Sequence, residues 1–271
     1  MDFLATAGRL EALQAEATRD LASDSEPVAG GWMAANGPGS FLNKTVGMGF
    51  ESEPTPEDIV RVERFFASRG IEPRIELTAF ASIGFLRKVA EAGFVLQEFE
   101  HTLVRPIDAV GIQTRLEMGW PEGVRVEPID PADPDQVHAF VLTSASGFIP
   151  EGERISETLL QTGLKAARAP DHIGFMAYAD GEIAGAAGSS YRRGVISLFG
   201  ASVLPRFRRR GIQQALITAR LGRGLSLQAT LASITSHPGI PTERNAARLG
   251  FQLAYVRAVL VKRGEGLVPS P

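Results

Sequence analysis

Apolar residues recur at intervals of three and four along much of the chain, which is the spacing of helices with one buried face. The clearest case follows Thr55, whose hydroxyl can cap a helix and which precedes a proline suited to the first turn. The apolar stripe of that helix is Ile59, Val62, Phe65 and Phe66. The same periodicity predicts further helices at 2–22, 82–92, 134–146, 156–167, 210–221 and 242–249.

Short apolar runs bounded by glycine, proline or polar residues predict strands between the helices. They lie at 75–77, 94–104, 124–126, 176–179, 183–190, 195–203, 230–235 and 251–261, with further short strands in the glycine-rich stretch 28–50. The alternation of helices and strands predicts an α/β fold with a mixed sheet. Residues 106–135 are rich in proline and show little periodicity, so we expect them to connect two structural units.

The two halves of the chain end in the same pattern. Gly93-Phe94 follows the end of one predicted helix, and Gly250-Phe251 follows the end of another. The two glycines are 157 residues apart, and the same offset aligns Thr78 with Thr235. Two helix–glycine–strand segments can look alike by chance, but a register kept without a gap favours the tandem duplication of one α/β fold.

Composition and charge exclude several classes of protein. The 28 basic and 31 acidic side chains give a net charge of −3, which argues against a nucleic-acid module. The chain has no cysteine, which rules out disulfides, thiolate metal sites and a cysteine nucleophile and fits a cytoplasmic protein. No apolar run is long enough for a membrane span. The four histidines are scattered without metal-ligand spacing, so we expect no metal.

The stretch from Val203 to Leu216 carries the strongest chemical signal. It joins a predicted strand to a predicted helix through the arginines 208–210 and Gly211. A helix N-terminus offers unpaired N–H groups and partial positive charge, and a glycine there lets a phosphate approach the backbone. The arginines add donors that suit phosphate. The stretch is a candidate phosphate site, and the alternative is a solvated basic turn.

This run resembles the acyl-CoA-binding signature of the GNAT superfamily of N-acyltransferases, in which a strand leads to Arg/Gln-x-x-Gly-x-Gly/Ala. The resemblance assigns the first and fourth signature positions to Arg208 and Gly211, and Gln213 departs from the usual small residue. It implies that loop amides hold the CoA pyrophosphate and that the strand end pairs with pantetheine. The cofactor-binding residues implied in this way are Ser202, Val203, Arg208, Arg209, Arg210, Gly211, Ile212 and Gln213.

A second stretch, from Thr235 to Phe251, resembles the second strand–helix arm beside CoA in the same family and adds Asn245 to the implied cofactor contacts. Together with the repeat, the resemblance implies a tandem GNAT-like fold. Its expected parts are a degenerate N-terminal copy at 1–107, a linker at 108–124 and an acetyl-CoA-binding catalytic domain at 125–271.

The repeat also predicts which copy binds acyl-CoA. The offset of 157 places residues 51–56 opposite the signature run that begins at Arg208, and this segment contains Glu51, Glu53, Pro54 and Pro56. Carboxylates repel phosphate, and proline lacks the N–H donor. We therefore expect that the first copy does not bind acyl-CoA and is a structural half that forms a wall of the acceptor pocket.

Transfer of an acyl group to an amine needs a neutral nucleophile, donors for the oxyanion and a path for the proton. Many relatives in the GNAT superfamily use a tyrosine as general acid where this sequence has Ala246. His237 is our candidate acid or base, and a histidine capping the turn before Pro238 is the alternative. Further candidates, each with a plainer structural explanation, are Tyr191, Tyr255, Glu151 and Glu153.

The resemblance implies an acyl-CoA-dependent N-acyltransferase. We expect it to transfer acetyl from acetyl-CoA to a primary amine of a small molecule by direct attack in a ternary complex. The alternative is a non-catalytic acyl-CoA-binding or regulatory protein. No nucleic-acid or membrane partner is expected, and the sequence leaves a homodimer open.

Overall fold

The computed structural model describes residues 2–150 and 153–269. The chain forms two compact units, a first unit of Met1–His101 with Ala254–Pro271 and a second unit of Thr102–Leu253. The elements up to the first long strand are α1 (Phe3–Leu21), β1 (Asp24–Val28), β2 (Gly31–Ala35), β3 (Lys44–Val46), α2 (Pro56–Ala67), β4 (Arg74–Thr78), α3 (Ile83–Glu91) and β5 (Val95–Pro106). Those that follow are α4 (Ala109–Glu117), β6 (Val124–Pro128), α5 (Pro134–Ala145), α6 (Glu157–Ala167), β7 (His172–Ala179), β8 (Glu182–Arg192), β9 (Val195–Val203), α7 (Ile212–Ser226), β10 (Leu231–Ser236), α8 (Pro241–Arg248) and β11 (Gln252–Val261).

The predicted α/β class with mixed sheets is confirmed. The first unit has the strand order β1-β2-β3-β4-β11, in which β3 and β4 are parallel and β4 and β11 antiparallel. The second unit has the order β5-β10-β9-β8-β7-β6, in which β9 and β10 are parallel. No helix in either described range has the length and apolar character needed to span a bilayer.

Helices cover both faces of the sheet in the second unit. Ala186 and Ala187 are neighbours on β8 and therefore point to opposite faces. Ala186 packs with apolar residues of α5 and α6, whereas Ala187 packs with Ile212 and Leu216 of α7. The sheet is thus buried on both sides, and α7 is held firmly against one of them.

Each unit contains a strand segment from the other half of the sequence. Residues 254–261 of β11 belong to the first unit, and residues 102–106 of β5 belong to the second, where β5 lies beside β10. A hydrophobic run predicts that a strand forms but not which strand it pairs with. The compact units consequently differ from the expected boundaries, and the expected linker at 108–124 contains α4, whose Ile112 is buried in the core that includes α7.

The elements follow the predicted repeat. β4 and β10 begin 157 residues apart, and β5 and β11 do as well. The α3 helix lies between the first pair as α8 lies between the second. The offset therefore relates elements of the same type in the same order, which supports a duplication.

A cluster of buried charges lies beside β3 and β4 in the first unit. Arg257 of β11 is 2.7 Å from Glu11, 3.1 Å from Glu100 and 3.2 Å from Glu76. Lys44 of β3 lies 3.0 Å from Glu76 on β4. In the repeat, β3 precedes α2 as β9 precedes α7, so β3 and β4 are the first unit's equivalents of β9 and β10.

The Glu76→Gln substitution should remove a pH-dependent contribution to stability. Burial raises the pKa of Glu76, but Lys44, Arg257 and Arg74 outweigh that effect and lower the pKa from 4.5 to about 2. The carboxylate therefore stabilises the fold above pH 4.5, and roughly 3 kcal/mol is lost as the pH falls toward about 2. Urea unfolding across this range should show the loss in wild type and in the exposed control Glu26→Gln. An equal loss in Glu76→Gln would contradict this assignment.

Candidate functional site

Strands β9 and β10 separate at the end that leads into α7. They pair from Val195 with Leu231 to Leu198 with Ile234, but β9 continues to Val203. On its other side, β9 has a bulge against β8, because its register shifts near Gly200, which has a φ of +56°. The bulge bends β9. Among the described residues, no strand pairs with the end of β9 on the side of β10.

The turn between β9 and α7 presents a row of backbone N–H donors. Arg209 and Gly211 have φ values of +66° and +76°, and no side chain caps α7. Within the described residues, none of the backbone N–H groups from Arg209 through Gln214 has a hydrogen-bond acceptor. Successive N–H groups in such a turn form a concave anion site, which the helix dipole strengthens.

The arginines of the turn have different partners. The Arg208 Nε donates to the Val203 carbonyl at 3.2 Å and so ties the turn back to β9. Arg210 donates to both carboxylate oxygens of Asp180, at 2.6 and 3.2 Å, which lowers the pKa of Asp180. The Arg209 side chain has no hydrogen bond or ion pair with any described residue. Arg208 and Arg209 are therefore better placed than Arg210 to meet an incoming anion.

Side chains of α8 fix the first turn of α7. The Gln213 Nε2 donates to the Thr242 hydroxyl at 2.8 Å, and the Asn245 Nδ2 donates to the Gln213 Oε1 at 2.5 Å. The Asn245 Oδ1 accepts from Gln214 and Arg248. The Asn245 amide is thus occupied by protein partners, and its role as a cofactor contact stays a prediction.

The other predicted cofactor residues occupy this same region. Ile212 is 1% exposed and packs in the core, so it can offer a ligand only its backbone N–H. The Ser202 hydroxyl lies 3.0 Å from that of Ser146, which holds the end of β9 against the segment after α5. Val203 is the last residue of β9. The structure therefore brings the strand end, the turn and the start of α7 together.

A cavity of about 460 Å³ lies beside the turn. Its lining residues are Leu142, Ser146, Gly147, Ile149, Pro150, Glu153, Ile155, Pro205 and Arg208. Most of them come from the end of α5 and the connection to α6. Glu153 is the carboxylate among these lining residues, and Glu151 lies outside the described residues.

The candidate acids and bases have different surroundings. His237 is exposed in the connection between β10 and α8, next to the separated strands. Ala246 is fully buried in the core. Tyr255 belongs to the first unit, where its hydroxyl donates to Glu11 at 2.6 Å, so it is a packed strand residue outside this site. Tyr191 is half-buried against the core that contains Ile196.

One buried residue of α7 was not predicted from the sequence. Arg220 is 0% exposed and donates to the Gly188 and Phe199 carbonyls at the bulge. The signal available in the sequence is that Arg220 follows Leu216 by four positions and therefore lies on an apolar helix face.

Comparisons with known proteins agree with the fold. The model of the Acetyltransferase (GNAT) family matches residues 141–251. A GCN5-related N-acetyltransferase from Kribbella flavida superposes with a TM-score of 0.70 and 16% identity, covering 96% of this chain and 97% of that chain. A tandem GNAT protein from the clavulanic acid biosynthesis pathway gives 0.62 and 12%, covering 96% and 94%. A functionally unknown conserved protein from Staphylococcus epidermidis gives 0.63 and 13%, covering 90% and 96%.

At these identities the structural matches show the fold alone. No curated protein matches the sequence. The segment that matches the family includes β9, the turn, α7 and α8.

The Gly211→Ala substitution should destabilise the protein more than Gly239→Ala. Both glycines have nearly the same φ, +76° and +75°, and a left-handed conformation costs alanine about 1–2 kcal/mol. A Cβ at Gly211 would also lie 2.9 Å from Pro121 Cγ, whereas a Cβ at Gly239 would have no atom within 4 Å. Urea unfolding of the two variants isolates the contact with Pro121. Equal losses of stability would show that Pro121 does not restrict this position.

Proposed function

We propose that the protein is an acyl-CoA-dependent N-acyltransferase, and the premise is the match of the Acetyltransferase (GNAT) family model to residues 141–251. In this proposal it transfers acetyl from acetyl-CoA to a primary amine of a small molecule by direct attack in a ternary complex. The observation that carries the proposal is the row of backbone N–H groups from Arg209 through Gln214, which lacks protein acceptors within the described residues.

The residues of the turn fit a pyrophosphate. The N–H row and the N-terminus of α7 supply donors and partial positive charge, and Arg208 and Arg209 add two cations. Gly211 has no Cβ to cover the amides. The separated end of β9, at Ser202 and Val203, has a backbone edge that can bond the amides of pantetheine. Acetyl-CoA would supply an acyl group activated as a thioester.

The first unit lacks these features at the equivalent helix. The N-terminus of α2 is closed by a capping box, in which the Thr55 hydroxyl accepts from the Asp58 N–H and the Asp58 carboxylate accepts from the Thr55 N–H. Glu53 pairs with Lys88 beside it at 2.7 Å. Because carboxylates occupy this helix end, we assign one acetyl-CoA site to the chain, in the second unit.

The cavity beside the turn is our candidate for the acceptor site. Glu153 places a carboxylate in a lining that also contains Arg208 and is otherwise apolar or small, and this carboxylate would attract the ammonium form of an amine. The amine must lose a proton before it attacks. We assign this proton transfer to His237, because its imidazole is exposed at the end of β10 where β9 and β10 have separated.

The alternative function is acyl-CoA binding without catalysis. It is favoured by Ala246, which is fully buried where many relatives have the tyrosine acid. The two functions differ in one measurement. Release of the CoA thiol from acetyl-CoA should be screened with amines, amino acids and aminoglycosides, and thermal stabilisation by CoA should be measured in parallel. Thiol release that depends on an amine supports the transferase, whereas stabilisation without release from any amine supports the binding protein.

Within the thiol-release assay, Arg208→Ala should raise the KM for acetyl-CoA about tenfold or more, with a smaller change in kcat. A charge-assisted bond to phosphate is worth ~1.5–3 kcal/mol, and the contact is remote from the thioester. The matched control is Arg206→Ala, because Arg206 pairs with the exposed Glu182 at 2.6 Å and lies before the turn. If both variants change KM equally, or if Arg208→Ala leaves it unchanged at low salt, the cofactor site is misplaced.

A further inference from the structure

Arg220 is a fully buried cation in the second unit. Its Nε donates to the Leu216 carbonyl at 3.0 Å, within α7. Its Nη1 donates to the Gly188 carbonyl at 2.9 Å and approaches the Phe199 carbonyl at 3.4 Å. Its Nη2 is buried and has no hydrogen-bond partner in the described part of the chain. The guanidinium is therefore bonded entirely to main-chain carbonyls.

The surroundings of Arg220 make its burial costly. No described carboxylate forms an ion pair with it, in contrast to Arg257, which contacts three glutamates. Burial lowers the pKa of Arg220 to about 9, and the group remains charged at neutral pH. A buried charge without a counterion destabilises a fold, and an apolar side chain of similar length would pack there without that penalty. The contacts that Arg220 makes must account for its presence.

Those contacts lie at the bulge that opens the site. Gly188 and Phe199 are register partners on β8 and β9, directly beside the register shift. Gly200, the next residue of β9, has a φ of +56°. The pairing of β9 with β10 stops at Leu198, just before these residues. Arg220 thus binds both strands at the point where β9 turns away from β10.

We propose that Arg220 is a positioning residue that holds the bulge between β8 and β9 and thereby keeps the end of β9 separated from β10. The edge from Phe199 to Val203 then stays open for the acyl-CoA. This inference rests on the proposed function for its ligand, but the state of the bulge can be measured without one.

The test compares Arg220→Met with Arg220→Lys. Methionine removes every hydrogen-bond donor of the side chain, whereas lysine keeps the positive charge but loses the planar, forked N–H donors of the guanidinium. Ile217→Val is the matched control, because Ile217 is fully buried in the same helix and its side chain has no hydrogen-bond donor for the bulge. Isothermal titration calorimetry should show a Kd for acetyl-CoA raised tenfold or more in Arg220→Met, and less in Arg220→Lys. The Kd of Ile217→Val should stay within about twofold of wild type.

Amide hydrogen exchange of the ligand-free proteins supplies a second readout. Exchange at 185–190 and 199–203 should accelerate in both Arg220 variants and not in Ile217→Val. If Arg220→Met does not fold, the same two measurements on Arg220→Lys decide the question. Wild-type Kd and wild-type exchange in a folded Arg220 variant would overturn the inference. If the wild-type chain itself does not bind acetyl-CoA, the proposed function fails, and the exchange data alone decide whether Arg220 holds the bulge.

Discussion

The candidate site depends on backbone N–H groups for which the described part of the chain supplies no acceptor. A buried or partly buried N–H normally finds a partner, so a continuous row of open donors from Arg209 through Gln214 needs a structure that maintains it. Arg209 and Gly211 have positive φ values in this turn, and the hydrogen bond from Arg208 to the Val203 carbonyl fixes the turn on β9. The packing of α7 on the sheet and the hydrogen bonds between side-chain amides of α7 and α8 hold the helix end in place.

The two units show that equivalent helices in the same order of elements can have N-termini of opposite chemical character. In the second unit the helix after the turn is uncapped and beside arginines, whereas α2 in the first unit begins with a hydroxyl, carboxylates and prolines. Lys44 of β3 and Glu76 of β4 also form an ion pair in the first unit. A duplicated fold can therefore lose an anion site through changes at one turn while its core elements keep their register.

Much of the fold could be predicted from the sequence, because most helices and strands have strong periodicity and clear ends. Weak periodicity near several prolines hid α4, and the exchange of β5 and β11 segments between units depends on pairing that local pattern does not encode. At the site, the motif located the turn. It did not predict that Asp180 would pair with Arg210 or that protein partners would hydrogen-bond the Asn245 amide. It also did not predict that Arg220 would be buried with no carboxylate partner in the described part of the chain.

The most direct test of this account is a titration of ¹⁵N-labelled protein with acetyl-CoA, followed by the chemical shifts of assigned backbone amides. Saturable changes are expected for the amides from Arg209 through Gln214, because these N–H groups gain phosphate acceptors. The amides of Glu57 and Asp58, at the equivalent helix end of the first unit, should not change. Changes at Glu57 and Asp58 with none from Arg209 through Gln214, or no saturable change at all, would contradict the account.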